Sequence, residues 1–394
     1  MEHEIDNETF MRELAEAEDE GEWMTAAEHA ETCYQEGLSL AAAHQNGADG
    51  LDSFRLAHKW EPKNPLYAAE LALALRQAGE DEQAKKVALL CLNQVSPAWL
   101  NEAEPHTSHR VALLHSLVLD EKTEALKYYA AAFEKDPEEA ELRVAYAISL
   151  AQYGEEAQAA GLVESLASAW AGQDEALSLK QARLMAQMAH VLSSQDQIQA
   201  GVCIQKALAA DPNSPGIRRT AGALAFNLQD FSEAMTQYRK ASELAPNYDL
   251  AWGGLQASML GLGWNQEAVD LGREILKTWP EFTEVRFNLA AACLNQGWYE
   301  EADDELTRYL ALSGDDALAH VTLGLSYAVQ GRAAEARAEQ ARALALDGKD
   351  PEVLKVSDQI DGVLAGGGGS EKEQTTKALM LVMLALLARQ ASKN

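Results

Sequence analysis

Metal-binding and catalytic chemistry need particular side chains held together, and few candidates stand close in this sequence. His106 and His109 form the segment HTSH, and His115 follows shortly after. A zinc site would need a fourth ligand in tetrahedral geometry, so these read as incidental surface histidines. The acids Asp303 and Asp304 fall on a segment expected to be helical and solvent-facing. They read as a charged face rather than a general acid and base. Cys33, Cys91, Cys203 and Cys293 lie far apart, with no CxxC pair. They read as small buried thiols, which suits a reducing cytoplasm better than a disulfide framework. No HExxH, P-loop, GxSxG or GxGxxG pattern occurs. The expectation is a non-enzymatic protein without cofactor or metal.

The chemistry that the residues do favour is apolar association. Residues 366–370 read GGGGS, unlike anything else in the chain. Four glycines and a serine have great backbone freedom and nothing to bury. They read as an engineered flexible linker that joins two parts which belong together. After it, residues 371–394 hold an unbroken apolar run from Ala378 to Ala388. As a helix that run is about 16 Å long. A membrane span needs roughly 20 such residues, so direct membrane insertion is not expected. The run is apolar on every side, so a helix made from it must be enclosed. Its anchors are Leu379, Met380, Leu381, Val382, Met383, Leu384, Leu386 and Leu387. Full burial of such side chains is worth about 1.5–3 kcal/mol each before entropy is subtracted. Lys372, Lys377, Arg389 and Lys393 against Glu371 and Glu373 give this tail a net +2, leaving −32 of the chain's −30 for the rest.

That balance excludes other partners. Acidic residues number 62 against 32 basic. Phosphate backbones and anionic membrane surfaces both require a positive field, so nucleic acid is not expected as a partner. The 47% hydrophobic content over 394 residues is enough to build a large core. Residues 1–30 are strongly acidic, with Arg12 as their one basic residue, and read as an N-terminal cap or charged helix. The N-terminus has no basic segment followed by an apolar run, as a secretory signal would. A cytoplasmic protein is expected.

What must position these parts is a repeat. Ala200, Ala234, Ala268, Ala302 and Ala336 recur at intervals of 34. Tyr238, Ala241 and Pro246 follow Ala234 at fixed offsets, and Ala125, Tyr129, Ala132 and Pro137 repeat the pattern upstream. Ala159 and Ala84 continue it, while Phe54, Ala57 and Pro62 form a degenerate copy with Gly50 in place of the alanine. The segment Gln229–Asn247 resembles the second helix of a tetratricopeptide repeat. Trp252 with Leu255, and Leu323 and Gly324 with Tyr327, resemble the first helix. Each unit of that family is two antiparallel helices that cannot bury both faces alone.

The register predicts units at 31–64, 65–98, 106–139, 140–173, 181–214, 215–248, 249–282, 283–316 and 317–350, with insertions near 99–105 and 174–180. A capping helix over 351–365 would close the array. The fold class is therefore all-α. It is read as a right-handed superhelical solenoid of about nine helix pairs, with the capping helix and a tethered C-terminal helix.

In the family the first helices line a concave groove. The resemblance implies Met185, Ala189, Leu192, Arg219, Ala223, Phe226, Gly253, Ala257, Leu260, Phe287, Ala291, Leu294, Val321, Leu325 and Ala328 at inward positions. They describe an apolar trough floored by small residues, shaped for a helix. The family's clamp for acidic peptide tails uses basic and asparagine side chains. Arg219 and Asn288 are the matches here, in otherwise apolar surroundings.

The reading is a peptide-binding chaperone or adaptor whose groove sequesters an aggregation-prone apolar helix of a protein partner, supplied here by 371–394. Bacterial type III secretion chaperones look similar in being acidic tetratricopeptide proteins that shield such helices. The alternative is a scaffold or assembly factor of a bacterial pilus or envelope complex, with the helix as a permanent contact. The five-residue linker reaches about 17 Å. The helix must therefore enter near the last repeats, or pass into a neighbouring molecule to give a domain-swapped dimer.

Overall fold

The computed structural model describes residues 25–44, 50–78, 80–93, 95, 103–119, 121–173 and 175–365. The acidic stretch 1–24, the linker 366–370 and the tail 371–394 lie outside the described residues, and with them the anchor residues of the tail. Every regular element among the described residues is helical. These residues divide into two compact units, the division falling after Leu162.

The first unit holds α1 (Ala26–His44), α2 (Leu51–Trp60), α3 (Pro65–Gln77), α4 (Asp81–Leu92), α5 (Pro105–Leu113), α6 (Lys122–Lys135), α7 (Ala140–Gln152) and the start of α8 (Glu156–Ala171). A π-helical turn, Leu114–Val118, extends α5. The rings of Tyr34, Phe54 and Tyr67 pack together, Tyr34 lying 6.2 Å from Phe54 and 5.1 Å from Tyr67. Gly50 stands where the repeat calls for alanine because a Cβ there would lie 2.4 Å from the carbonyl oxygen of Gly37.

The second unit continues with α9 (Leu179–Leu192), α10 (Gln197–Ala210), α11 (Pro215–Asn227), α12 (Phe231–Leu244), α13 (Asp249–Gly261), α14 (Asn265–Thr278), α15 (Thr283–Gln296), α16 (Tyr299–Ser313), α17 (Ala317–Val329), α18 (Ala333–Asp347) and α19 (Pro351–Leu364). Among the described residues the chain thus runs as nine consecutive helix pairs and a last single helix.

The repeated alanines explain the pairing. Ala84, Ala125, Ala159, Ala200, Ala234, Ala268, Ala302 and Ala336 all lie on second helices and are at most 1% exposed. A methyl group there lets two helices meet where a larger side chain would wedge them apart. Tyr238 fills a complementary hollow: a Cβ on Gly222 or Gly254 would stand 2.9 or 2.3 Å from its ring.

The turns are just as regular. Gly154, Gly263, Gly297 and Gly331 have φ between 77° and 81° and close the link between first and second helix. Gln229 occupies the same turn position with φ 60°. A left-handed conformation brings its Cβ against the following carbonyl, a cost of about 1–2 kcal/mol that glycine does not bear.

The entry to four of the pairs is fastened by a donor four residues into the first helix. Arg218 Nε donates to the Pro212 carbonyl at 2.8 Å, and Trp252 Nε1 to that of Pro246 at 2.8 Å. Arg286 does the same to Pro280, as does Arg143 to Pro137 in the first unit. In the second unit these positions also reach across to the second helix. Arg218 meets Gln237 at 2.7 Å, Arg286 pairs with the buried Glu305, and His320 Nδ1 meets Glu339 at 2.6 Å.

Two outcomes follow. Gln229→Gly should raise stability by about 0.5–1 kcal/mol, the relieved strain exceeding the added freedom of the unfolded chain. Ala302→Leu should lower it by about 1–3 kcal/mol through overpacking. Thermal and denaturant unfolding of the two variants would check both.

Candidate protein-binding surface

The inner candidates of the second unit lie on α9, α11, α13, α15 and α17, the first helices of their pairs. Met185, Ala189, Leu192, Ala223, Phe226, Gly253, Ala257, Leu260, Phe287, Asn288, Ala291, Leu294, Val321, Leu325 and Ala328 are all buried, and Arg219 is half-exposed. Ala223, Phe226, Ala257, Leu260, Phe287, Ala291, Leu294, Val321, Leu325 and Ala328 belong to one continuous apolar core that reaches Ile360 of α19. The phenyl rings of Phe226 and Phe231 meet edge to face at 5.1 Å, and Phe231 fills the space that a side chain at Gly261 would need.

First and second helices differ in how completely they are enclosed. On α15 ten consecutive residues, Val285–Leu294, are buried. Ten residues pass almost three times round a helix, so no side of that stretch faces solvent. On α17 the run Ala319–Ser326 is likewise buried. The second helix α16 buries one stripe, Ala302, Asp303, Glu305, Leu306 and Tyr309. The main neighbours of α15 among the described helices are α13, α14 and α16.

One end of this surface is acidic. Asp249, at the start of α13, accepts from the backbone N–H groups of Glu284 at 3.0 Å and Val285 at 3.2 Å, and so caps α15 from the preceding repeat. Asp316 caps α17, accepting from the N–H groups of Leu318 and Ala319 at 2.9 Å. Glu284 stands between them. Burial, with the charges of Asp249 and Asp316, pushes its carboxyl up to about 8. One turn further along α15, Asn288 Nδ2 donates to the Gly253 carbonyl at 2.9 Å.

The groups that first suggested chemistry are structural. His106 is exposed, but His109 and His115 are buried at 6% exposure rather than on the surface. His109 packs on the Tyr129 ring at 5.6 Å, and His115 Nδ1 meets Glu121 at 2.8 Å. Asp303 does not face solvent as its spacing implied. It is buried and links α16 to α17, accepting from Ser326, from Gln330 at 2.8 Å and from Arg332 at 3.1 Å, while Asp304 is exposed. Cys91, Cys203 and Cys293 are buried, and burial pushes their thiols up to about 12, 11 and 12. No group of three metal-ligating side chains gathers among the described residues, and no helix there is long and apolar enough to cross a membrane. The fastening donors Arg143, Arg218, Trp252 and Arg286 were not anticipated from the sequence. Their signal is a hydrogen-bond donor six residues after a proline, which residue-type repetition hides.

Residues 220–248 match the family model described as "Tetratricopeptide repeat". No curated protein sequence matches the chain. A solved structure described as "Crystal structure of APC/C hetero-tetramer Cut9-Hcn1" is similar in fold, with a TM-score of 0.50 and 18% identity, over 83% of this chain and 55% of that one. This chain therefore spans about half the length of that relative. A second, a thermophilic TPR protein of Thermus thermophilus, has a TM-score of 0.40 and 19% identity over 46% of this chain and 99% of that one.

Burial holds the His109 imidazole down to about 4. In the unfolded chain it protonates near 6.5, so between those values the unfolded state binds more protons and stability falls as pH drops. Its share of that loss is on the order of 2–3 kcal/mol. His109→Gln should flatten the fall of the unfolding temperature between pH 6.5 and 4, read by thermal scans of both proteins.

Proposed function

We propose that this tetratricopeptide-repeat protein is a non-catalytic binding module whose first helices form the floor of a groove that shelters an apolar helix of a protein partner, and that residues 371–394 are that helix. The observation that carries the reading is the enclosure of α15 and α17 on every side, although the main described neighbours of α15 come from its own and the preceding repeat. In an open helical array the inner side of a first helix faces solvent. Large apolar side chains such as Phe287, Leu294 and Leu325 would then be exposed together, a patch that soluble monomers avoid. An apolar helix such as 378–388 has the opposite need, since it is apolar all round and must be covered.

Docking is of the helix-in-groove type, with leucines as anchors and methionines as adaptable contacts. The tether sets a local concentration on the order of millimolar, so even a weak contact is filled. The reading is a chaperone: masking the client's apolar helix prevents premature assembly and keeps the peptide in solution. The acidic surplus of −32 against the tail's +2 adds long-range attraction.

Removal of residues 371–394 should lower the unfolding temperature of the array and increase binding of a hydrophobic dye. Adding a synthetic 371–394 peptide should restore both. An array that unfolds no earlier without the tail, and does not bind the peptide in calorimetry, would sink the proposal.

A further inference from the structure

The docking just proposed leaves open how a helix that is apolar all round would be held in one register, and one polar position on α15 answers it. Glu284, Phe287, Asn288 and Ala291 share a face of α15 by helical spacing. Asn288 is 1% exposed, yet its Oδ1 has no hydrogen-bond partner. Its Nδ2 is occupied by the Gly253 carbonyl. Glu284 is half-buried, and among the described residues no donor meets its carboxyl group. Its nearest charges, Asp249 and Asp316, are both negative.

Both side chains converge on Gly253. A Cβ on that residue would stand 2.8 Å from Glu284 Cβ and 3.4 Å from Asn288 Nδ2. The two helices therefore approach closely at Gly253, where α15 carries an acid and, one turn further on, an amide whose oxygen is orphaned. A buried acceptor without a donor costs about 1–3 kcal/mol, and a carboxyl among like charges is pushed toward its neutral form. One bound cation with several N–H groups removes both penalties.

The geometry points to Glu284 and Asn288, beside Asp249, as the receptor for the Lys377 ammonium group of the tail, a contact that rests on the docking proposed above. A lysine ammonium offers three donors and no acceptor. The available acceptors are the Glu284 carboxylate and Asn288 Oδ1, since Asp249 is already met by the backbone N–H groups of Thr283, Glu284 and Val285 and by the Thr283 side chain. Lys377 immediately precedes the apolar run and, in helical register, shares a face with Met380, Leu381 and Leu384. On α15 the acid is followed in the same way by Phe287 and Ala291. The apolar contacts would supply affinity, and this single polar contact would fix register. That division is known from a lone buried polar residue in coiled coils.

The test uses the full chain, with Glu284→Gln, Lys377→Met, Arg389→Met and the combinations with Glu284→Gln. Each of the first two should lower the unfolding temperature and speed amide exchange in Ala291–Leu294 about tenfold. Combined, they should be no worse than the more severe single change, because both remove one contact. If Glu284→Gln leaves the unfolding temperature unchanged or raises it, as relief of acid repulsion alone would, the receptor assignment falls. It falls also if the two changes add, or if Glu284 couples to Arg389 instead. Leu384→Asp with Met380→Asp separates this from failure of the docking itself. Unchanged exchange on α15 and α17 in that variant overturns the docking. Faster exchange there, with additive Glu284 and Lys377 effects, overturns the lysine receptor alone.

Discussion

How closely two antiparallel helices can approach decides the rest of this structure. At Ala200, Ala234, Ala268, Ala302 and Ala336 the second helix presents a single methyl group, and each is at most 1% exposed. Protein interiors pack too densely to accept a few extra carbons at such a point. The same contact therefore recurs from pair to pair in the second unit, and the 34-residue period is its imprint on the sequence. With the second helix held close on one side, the first helix is pressed among its neighbours. Its large residues must then find cover on its remaining face.

Charge is sorted by the same packing. Among the described residues most acids are exposed or half-buried, while several charges drawn inside are matched. Glu70 meets Arg110 at 2.7 Å in the first unit; in the second, Arg286 meets Glu305 and His320 meets Glu339. Removing one member of such a pair strands the other, whereas the pair as a whole adds little net stability. The two pairs of the second unit tie a first helix to its own second helix, a match that a core of alanine and leucine leaves open. Glu284 departs from this pattern, since its near charges are of its own sign.

Much of the architecture was legible because it depends on size and spacing. A small residue every 34 positions must mean the same contact repeated, and the second unit is built of consecutive packed helices. What stayed hidden depends on direction. Asp303 and Asp304 are chemically alike and adjacent, yet one is buried and one exposed. Only the presence of Ser326, Gln330 and Arg332 on the next pair separates them. His109 and His115 looked like surface residues because polarity alone does not reveal an aromatic neighbour such as Tyr129 or Tyr128. The donors that bond to the proline carbonyls vary between arginine and tryptophan, so a role repeats where no residue type does.

Those proline clasps also redraw the module. Each joins the last turn of one pair to the first helix of the next, across the boundary that the alanine period suggests. Cutting there would part hook from eye, leaving a bare carbonyl on one fragment and an idle guanidinium or indole on the other. A piece whose clasp stays whole begins just after one clasp and ends with the next, but its cuts fall within first helices and part Arg218 from Gln237 and Arg286 from Glu305. In the second unit one such cassette runs from residue 219 through Trp252, and the next from residue 253 through Arg286.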